Sequence, residues 1–261
     1  MHHITQPILS ILLYGLSGLI GLVVFTYPFF LNAAQLAVAA GARQAAPLLT
    51  MLLLVGCLLI LLVEMQGQAV SAKVVAALGV LVAVTAALRF LETAVPGPGG
   101  FSPVFAPIIL AGFVFGARFG FLMGALTLFV SALITGGVGP WLPYQMFAAG
   151  WVGLTAGWLP SLRRPLPLLC LFAFIWGVLF GFLMNLYFWP FVVGGGSDNW
   201  QPGLNLADGA ARYLAFYVST SLWWDLIRAG GNVALLLVLG MPAIRALARF
   251  RDRFQFQQVA E

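Results

Sequence analysis

Runs of about twenty apolar residues recur along this chain from end to end, each of the length a helix needs to cross a bilayer. Of its 261 residues, 62% are hydrophobic and only 7% charged, and the charges fall mainly in the gaps between the runs. The solvent for most of the sequence is therefore lipid. Spans are placed near Ile8 to Leu31, Ala46 to Val63, Ala72 to Leu91, Pro103 to Phe115, Phe119 to Ile134, Tyr144 to Leu159, Leu166 to Phe191 and Leu222 to Leu247. Eight helices, two of them short, define an all-α integral membrane protein. Pro103 to Ile134 is one continuous run by hydropathy, but Arg118 lies between Gly116 and Gly120 at its middle, and a charge at the bilayer centre is costly, so a tight turn is predicted there.

With the amino terminus in the cytoplasm, Lys73, Arg118, Arg163, Arg164, Arg245, Arg249, Arg251 and Arg253 come out on the cytoplasmic side. Arg43, Arg89, Arg212 and Arg228 fall outside or at the outer ends of helices. This division of the twelve cations predicts that both termini are inside. The net charge of +5 then reports topology and anionic headgroups, since no basic-aromatic interleaving points to nucleic acid. The first span has no Lys or Arg before it and no convincing cleavage site, so it is expected to remain as a helix and not to be removed as a signal peptide. Cys57 and Cys170 lie inside apolar runs and are read as small hydrophobes. Inner connections are short, whereas the outer ones, Thr93 to Ser102, Thr135 to Pro143 and Val192 to Arg212, are longer and rich in Gly, Pro and Trp. The last holds a glycine-rich lid candidate, Gly194 to Trp200, and a predicted amphipathic interfacial helix, Leu206 to Thr220, with Tyr213, Phe216 and Tyr217.

Small residues recur at helical spacing on three spans: Ala72, Ala76, Gly79, Ala83 and Ala87; Gly112, Gly116, Gly120 and Gly124; and Gly177, Gly181 and Asn185. In lipid such stripes let helix backbones approach closely, either inside one bundle or, for the first stripe, against another membrane subunit. The most specific polar cluster is Asp225, Arg228 and Asn232, which share one face of the last span. Either it serves a ligand, as intramembrane charges tend to, or the Asp225 and Arg228 pair is self-satisfied and ties the helix to its neighbours. On the same outer side stand Trp141, Tyr144 and Gln145, and Asn185, Tyr187 and Trp189. Interfacial aromatic girdles account for some of these, but amides beside aromatic planes suit a flat, polar-edged organic ligand. The candidate substrate-binding set is therefore Trp141, Tyr144, Gln145, Asn185, Trp189, Asp225, Arg228 and Asn232.

Histidine occurs only at His2 and His3, and no phosphate-binding loop ending in Lys and Ser or Thr is present. A His-ligated metal site, a serine dyad using His and a two-aspartate intramembrane protease all lack candidates within the membrane. No catalytic residue, metal or cofactor is expected, and any ATP work falls to another chain.

Three segments carry a family resemblance: Phe105 to Gly124 (FAPIILAGFVFGARFGFLMG), Gly136 to Trp151 (GGVGPWLPYQMFAAGW) and Asp225 to Asn232 (DLIRAGGN). They are similar to the substrate-binding S component of energy-coupling factor (ECF) transporters, over roughly Ala72 to Arg253. The resemblance implies a six-helix vitamin-binding membrane protein, open to the outside of a prokaryotic cytoplasmic membrane. Its partners are implied to be a membrane T component and two ABC-type ATPases that topple it to release the vitamin inward. Small-residue patterns on the first core helix contact the T component in that family, which implies partner contacts for Ala72, Ala76, Ala83 and Ala87. Cobalamin or a corrinoid precursor is the leading ligand on this resemblance. The departure is at the amino end, where residues 1–70 add two transmembrane helices to a core of 71–253 and a cytoplasmic tail of 254–261. The rival reading is a structural scaffold resembling rod-shape factors of the cell wall; an enzyme is not expected.

Overall fold

The computed structural model describes residues 72–94, 101–192 and 198–255, together with scattered residues of the first seventy, 21–23 and 25–31 among them. The predicted span Ala46 to Val63 apart from Gly56, half of Ile8 to Leu31, part of the glycine-rich lid and the end of the tail lie outside the described residues. Seven helices run through the core: α1 (Ala72–Ala94), α2 (Phe105–Phe115), α3 (Ala117–Thr135), α4 (Leu142–Ala156), α5 (Leu166–Phe188), α6 (Leu206–Thr220) and α7 (Leu222–Gln255). Six are the apolar helices expected of the core and α6 is the expected amphipathic one; no strand occurs among the described residues.

The break between α2 and α3 falls where the sequence places it. Gly116 adopts φ 95°, a backbone conformation that disfavours a side chain, and its N–H still bonds the Gly112 carbonyl at 2.9 Å. Arg118 is thereby delivered to the surface and not to the centre of a long helix. The two helices descend as a hairpin onto α4, and glycine makes this possible. A Cβ on Gly112 or Gly120 would collide with the Gly153 carbonyl, and one on Gly124 with the Ala149 carbonyl. Backbones in this contact are separated by no side chain at all, the arrangement that maximises van der Waals packing where lipid removes any hydrophobic drive. Gly177 lets α5 approach the Ala229 backbone of α7 in the same way, and Gly181 leaves the space that the Asp225 carboxylate occupies. Two of the three small-residue stripes are thus internal packing. Around them Ile108, Ile109, Met123, Leu142, Met146, Val152, Leu169 and Leu236 form the fully buried centre.

The helix α1 lies differently. Ala77, Leu78, Val82, Thr85 and Ala86 face the bundle and are buried, whereas Ala76, Gly79, Val80, Ala83, Val84 and Ala87 face away from it and are exposed.

The helix α7 has 34 residues, about 50 Å at 1.5 Å per residue, against a hydrocarbon core of about 30 Å. Its excess length carries Arg245, Arg249 and Arg251 beyond the apolar stretch, and Arg251 folds back so that Nη1 donates to the Val114 carbonyl at 3.0 Å, near the end of α2. A cation there satisfies one of the carbonyls that a helix terminus leaves without a partner. Exposed Lys73, Arg118, Arg163, Arg164, Arg245 and Arg249 share this end of the bundle, and Arg89, Arg212 and Arg228 lie toward the other.

Asn205 caps α6, its side chain accepting the Asp208 N–H at 2.8 Å. Tyr213, Phe216 and Tyr217 are turned inward: all three are buried, in one cluster with Trp189 against α5. Both hydroxyls explain the inward turn, since Tyr213 donates to the Phe182 carbonyl and Tyr217 to Asp225. Among the described amino-terminal residues, Phe25 and Phe29 pack on the core at the same end. Phe25 meets Tyr144 edge to face at 5.0 Å, and Phe29 meets Trp200 in the same way at 5.0 Å.

Candidate functional site

Six helices converge on one cleft, at the end of the bundle opposite the exposed cations. The carboxyl end of α1 supplies Arg89 and Glu92, the start of α2 and the residues before it supply Ser102, Val104 and Phe105, and α3 supplies Leu128. The start of α4 contributes Gln145, the middle of α5 Phe180 and the first turns of α7 Arg228. The cleft holds about 110 Å³. Its polar groups stand out against the apolar helices around it, because ionisable and amide side chains in such a setting must be partnered or must serve a ligand.

Arg228 is fixed on three sides. Its Nη1 donates to Asp225 Oδ1 at 2.6 Å and to the Gly177 carbonyl at 3.4 Å, and its guanidinium lies 5.6 Å from the centre of the Phe180 ring. Asp225, 1% exposed, accepts a second bond from the Tyr217 hydroxyl at 2.9 Å. Asn232, one turn beyond Arg228 on α7, is fully buried and works as a staple. Its amide oxygen accepts the Ala106 N–H at 2.9 Å, and Nδ2 donates to the carbonyls of Ser102, at 2.8 Å, and Arg228. Ala106 is in the first turn of α2, whose N–H groups have no partner within the helix, so Asn232 caps α2 from across the bundle. Facing these, Arg89 Nη1 donates to Ser131 Oγ at 3.0 Å, and Glu92 makes a side-chain hydrogen bond with Ser102 and interacts electrostatically with Arg89 and Arg228.

Of the eight residues expected to bind substrate, Gln145 and Arg228 line this cleft, and Asp225 and Asn232 hold its walls from behind. The other four belong elsewhere. Trp141 is exposed and bonds the Gly137 carbonyl at 3.1 Å. Tyr144 packs on Tyr187, ring centres 3.7 Å apart and planes tilted by 31°, and edge to face on Phe25. Asn185 returns its amide to the Gly181 carbonyl of its own helix at 3.1 Å. Trp189 is 2% exposed and donates to the Asp198 carbonyl at 2.8 Å. Of the four alanines expected to meet a partner, Ala76, Ala83 and Ala87 are on the exposed face of α1, and the Ala72 side chain lies outside the described residues.

Arg89, Glu92 and Ser102 were not in the predicted set. The sequence does carry a signal for the first two: they stand three residues apart at the end of an apolar run, opposite charges on one helix face. Ser102 carries none, because its place depends on the loop that returns the chain to α2.

A bundle of apolar helices enclosing a polar cleft, with no metal-binding cluster among the described residues, has the makings of a membrane protein that binds a solute. The model of the family described as ECF transporter, substrate-specific component, matches residues 73–240, and the chain belongs to that family. It is the substrate-specific membrane subunit of an importer, which sets aside the scaffold reading; such subunits work in general with a T component and ATPases. No curated protein and no solved structure matches the chain.

Proposed function

We propose that this subunit captures a vitamin from the outside of a prokaryotic cytoplasmic membrane, with both its termini in the cytoplasm. It then passes the vitamin inward in complex with a T component and two ABC-type ATPases. The observation that carries this reading is the cleft itself: Gln145, Arg228, Arg89 and Glu92 converge on a space that packing has not filled. Its position at the end of the bundle away from the exposed cations supports an outward-facing mouth. The size of the cleft bears on the vitamin. Pockets that enclose drug-sized ligands run to about 300–1,000 Å³. Cobalamin or a corrinoid precursor, a macrocycle, would set only one edge in a cleft of about 110 Å³. A vitamin of any size would enter a cleft of this volume by one edge.

The exposed face of α1 supports the partner reading. Ala76, Ala83 and Ala87 are turned away from the bundle, and Lys73, Ala76, Val80, Leu247 and Phe250 line an apolar groove of about 500 Å³ between α1 and the far end of α7. Small side chains spent on an outer face contribute nothing to the fold of this chain but let a second membrane protein's helix approach closely. Proteoliposomes containing the chain, a T component and the ATPases should accumulate a labelled vitamin when ATP is supplied. ATP hydrolysis without accumulation of any vitamin would overturn the proposal.

A further inference from the structure

We propose that the solute's recognition end is a neutral ring edge bearing an N–H donor beside an acceptor, with Glu92 taking the donor and Arg228 and Gln145 serving the acceptor. This inference rests on the reading of the cleft as the solute site.

Three observations lead to it. The first is that Glu92 Oε2 is buried and has no hydrogen-bond partner among the described residues, although the side chain also engages Ser102. A buried acceptor left in that state costs free energy, and a ligand N–H delivered to it removes the cost. The second is what Arg228 has left to offer. A guanidinium carries five N–H groups, and among the described residues Arg228 uses Nη1 alone, on Asp225 and Gly177, so donors remain for a ligand acceptor in the cleft that it lines. The third is charge. Arg89 and Arg228 are matched by Glu92 and Asp225, so the site as a whole is neutral. A phosphate or other polyanion would meet Glu92 without a surplus of cations, and an organic cation would meet two guanidinium groups. A neutral group with one donor and one acceptor satisfies both sides. Phe105 and Phe180, packed edge to face at 4.8 Å, give the cleft an aromatic wall, and its volume of about 110 Å³ suits the edge of a single ring.

The test is calorimetric titration of the purified full chain in detergent with four probes. Riboflavin and biotin carry a neutral ring edge with N–H beside C=O, pyridoxal 5′-phosphate presents an anionic head, and cyanocobalamin is a macrocycle. One of the first two should bind, Glu92→Gln should weaken it at least tenfold, and methylation of the probe's ring N–H should weaken it by a similar factor. In Glu92→Gln the methylated probe should lose little more, since both changes remove the same bond. Gln145→Ala gives a second reading from α4 should Glu92→Gln not yield monodisperse protein: a several-fold loss is expected, and unchanged affinity contradicts the inference. Tight binding of pyridoxal 5′-phosphate or cyanocobalamin that is insensitive to Glu92 would overturn the inference and leave the importer intact. If no probe binds the wild type, the inference also falls, while ATP-driven uptake in proteoliposomes judges the importer separately.

Discussion

Asp225→Asn separates a structural role from a ligand contact. Asp225 and Arg228 make a pair at 2.6 Å in which the carboxylate is 2% exposed and the guanidinium 19%. Removing one member of a fully buried pair costs about 3–5 kcal/mol, because the other charge is left without compensation. Arg228 keeps some contact with the cleft, the Gly177 carbonyl and the Phe180 ring, and asparagine still offers Tyr217 an acceptor. The expected loss of stability is therefore below that range, about 2–3 kcal/mol. Tyr217→Phe strands the second carboxylate oxygen and should cost about 1.5 kcal/mol. In a double-mutant cycle the two should couple, since both act on one carboxylate. Unfolding in detergent without ligand reads the stability, and titration with ligand reads the affinity. Because Asp225 reaches the cleft only through Arg228, Asp225→Asn should lower both together. Unchanged stability with lost affinity would refute the reasoning and make Asp225 a ligand contact.

The remaining expectations concern the site, the partner face and the orientation. Gln145→Ala should weaken binding several-fold, whereas Asn185→Ala, whose amide bonds its own helix, should leave the binding titration within twofold of wild type. Replacing Ala76 and Ala83 together by leucine should abolish uptake and leave binding in detergent intact, because both side chains are turned away from the bundle; loss of binding as well would mean that the stripe packs within the chain. Cysteines placed at Arg163 and near Arg245 should react with impermeant reagents only from the cytoplasmic side, and labelling from outside would invert the topology and with it the mouth of the cleft.

The helices were legible because lipid imposes length: an apolar run of about twenty residues and its polar interruptions fix a span with little help from tertiary structure. The turn at Gly116 was legible for the same reason, a single cation that had to leave the membrane. The site was legible only in part. Arg228, Asp225 and Asn232 share a helix face, which spacing reveals, but spacing cannot tell a lining residue from a buttress; that depends on Gly177 and Gly181 letting α5 close onto α7. For Trp141, Tyr144 and Trp189 the sequence makes no distinction, because aromatic residues near polar ones look alike whether they stack on a solute or on each other. The structure gives Tyr144 to Tyr187 and Phe25, and Trp189 to the cluster under α6. Glu92 holds a buried oxygen without a hydrogen-bond partner among the described residues, a property of geometry that no spacing reveals.

Native mass spectrometry of the chain purified in mild detergent tests the central claim most directly. A solute-binding subunit should carry one small molecule of a vitamin's mass at a stoichiometry of about one, and that adduct should be depleted in Gln145→Ala and in Glu92→Gln. A chain free of any adduct, which takes up none when incubated with a full vitamin mixture, would contradict the account; so would an adduct that both variants retain unchanged, since it would lie outside the cleft.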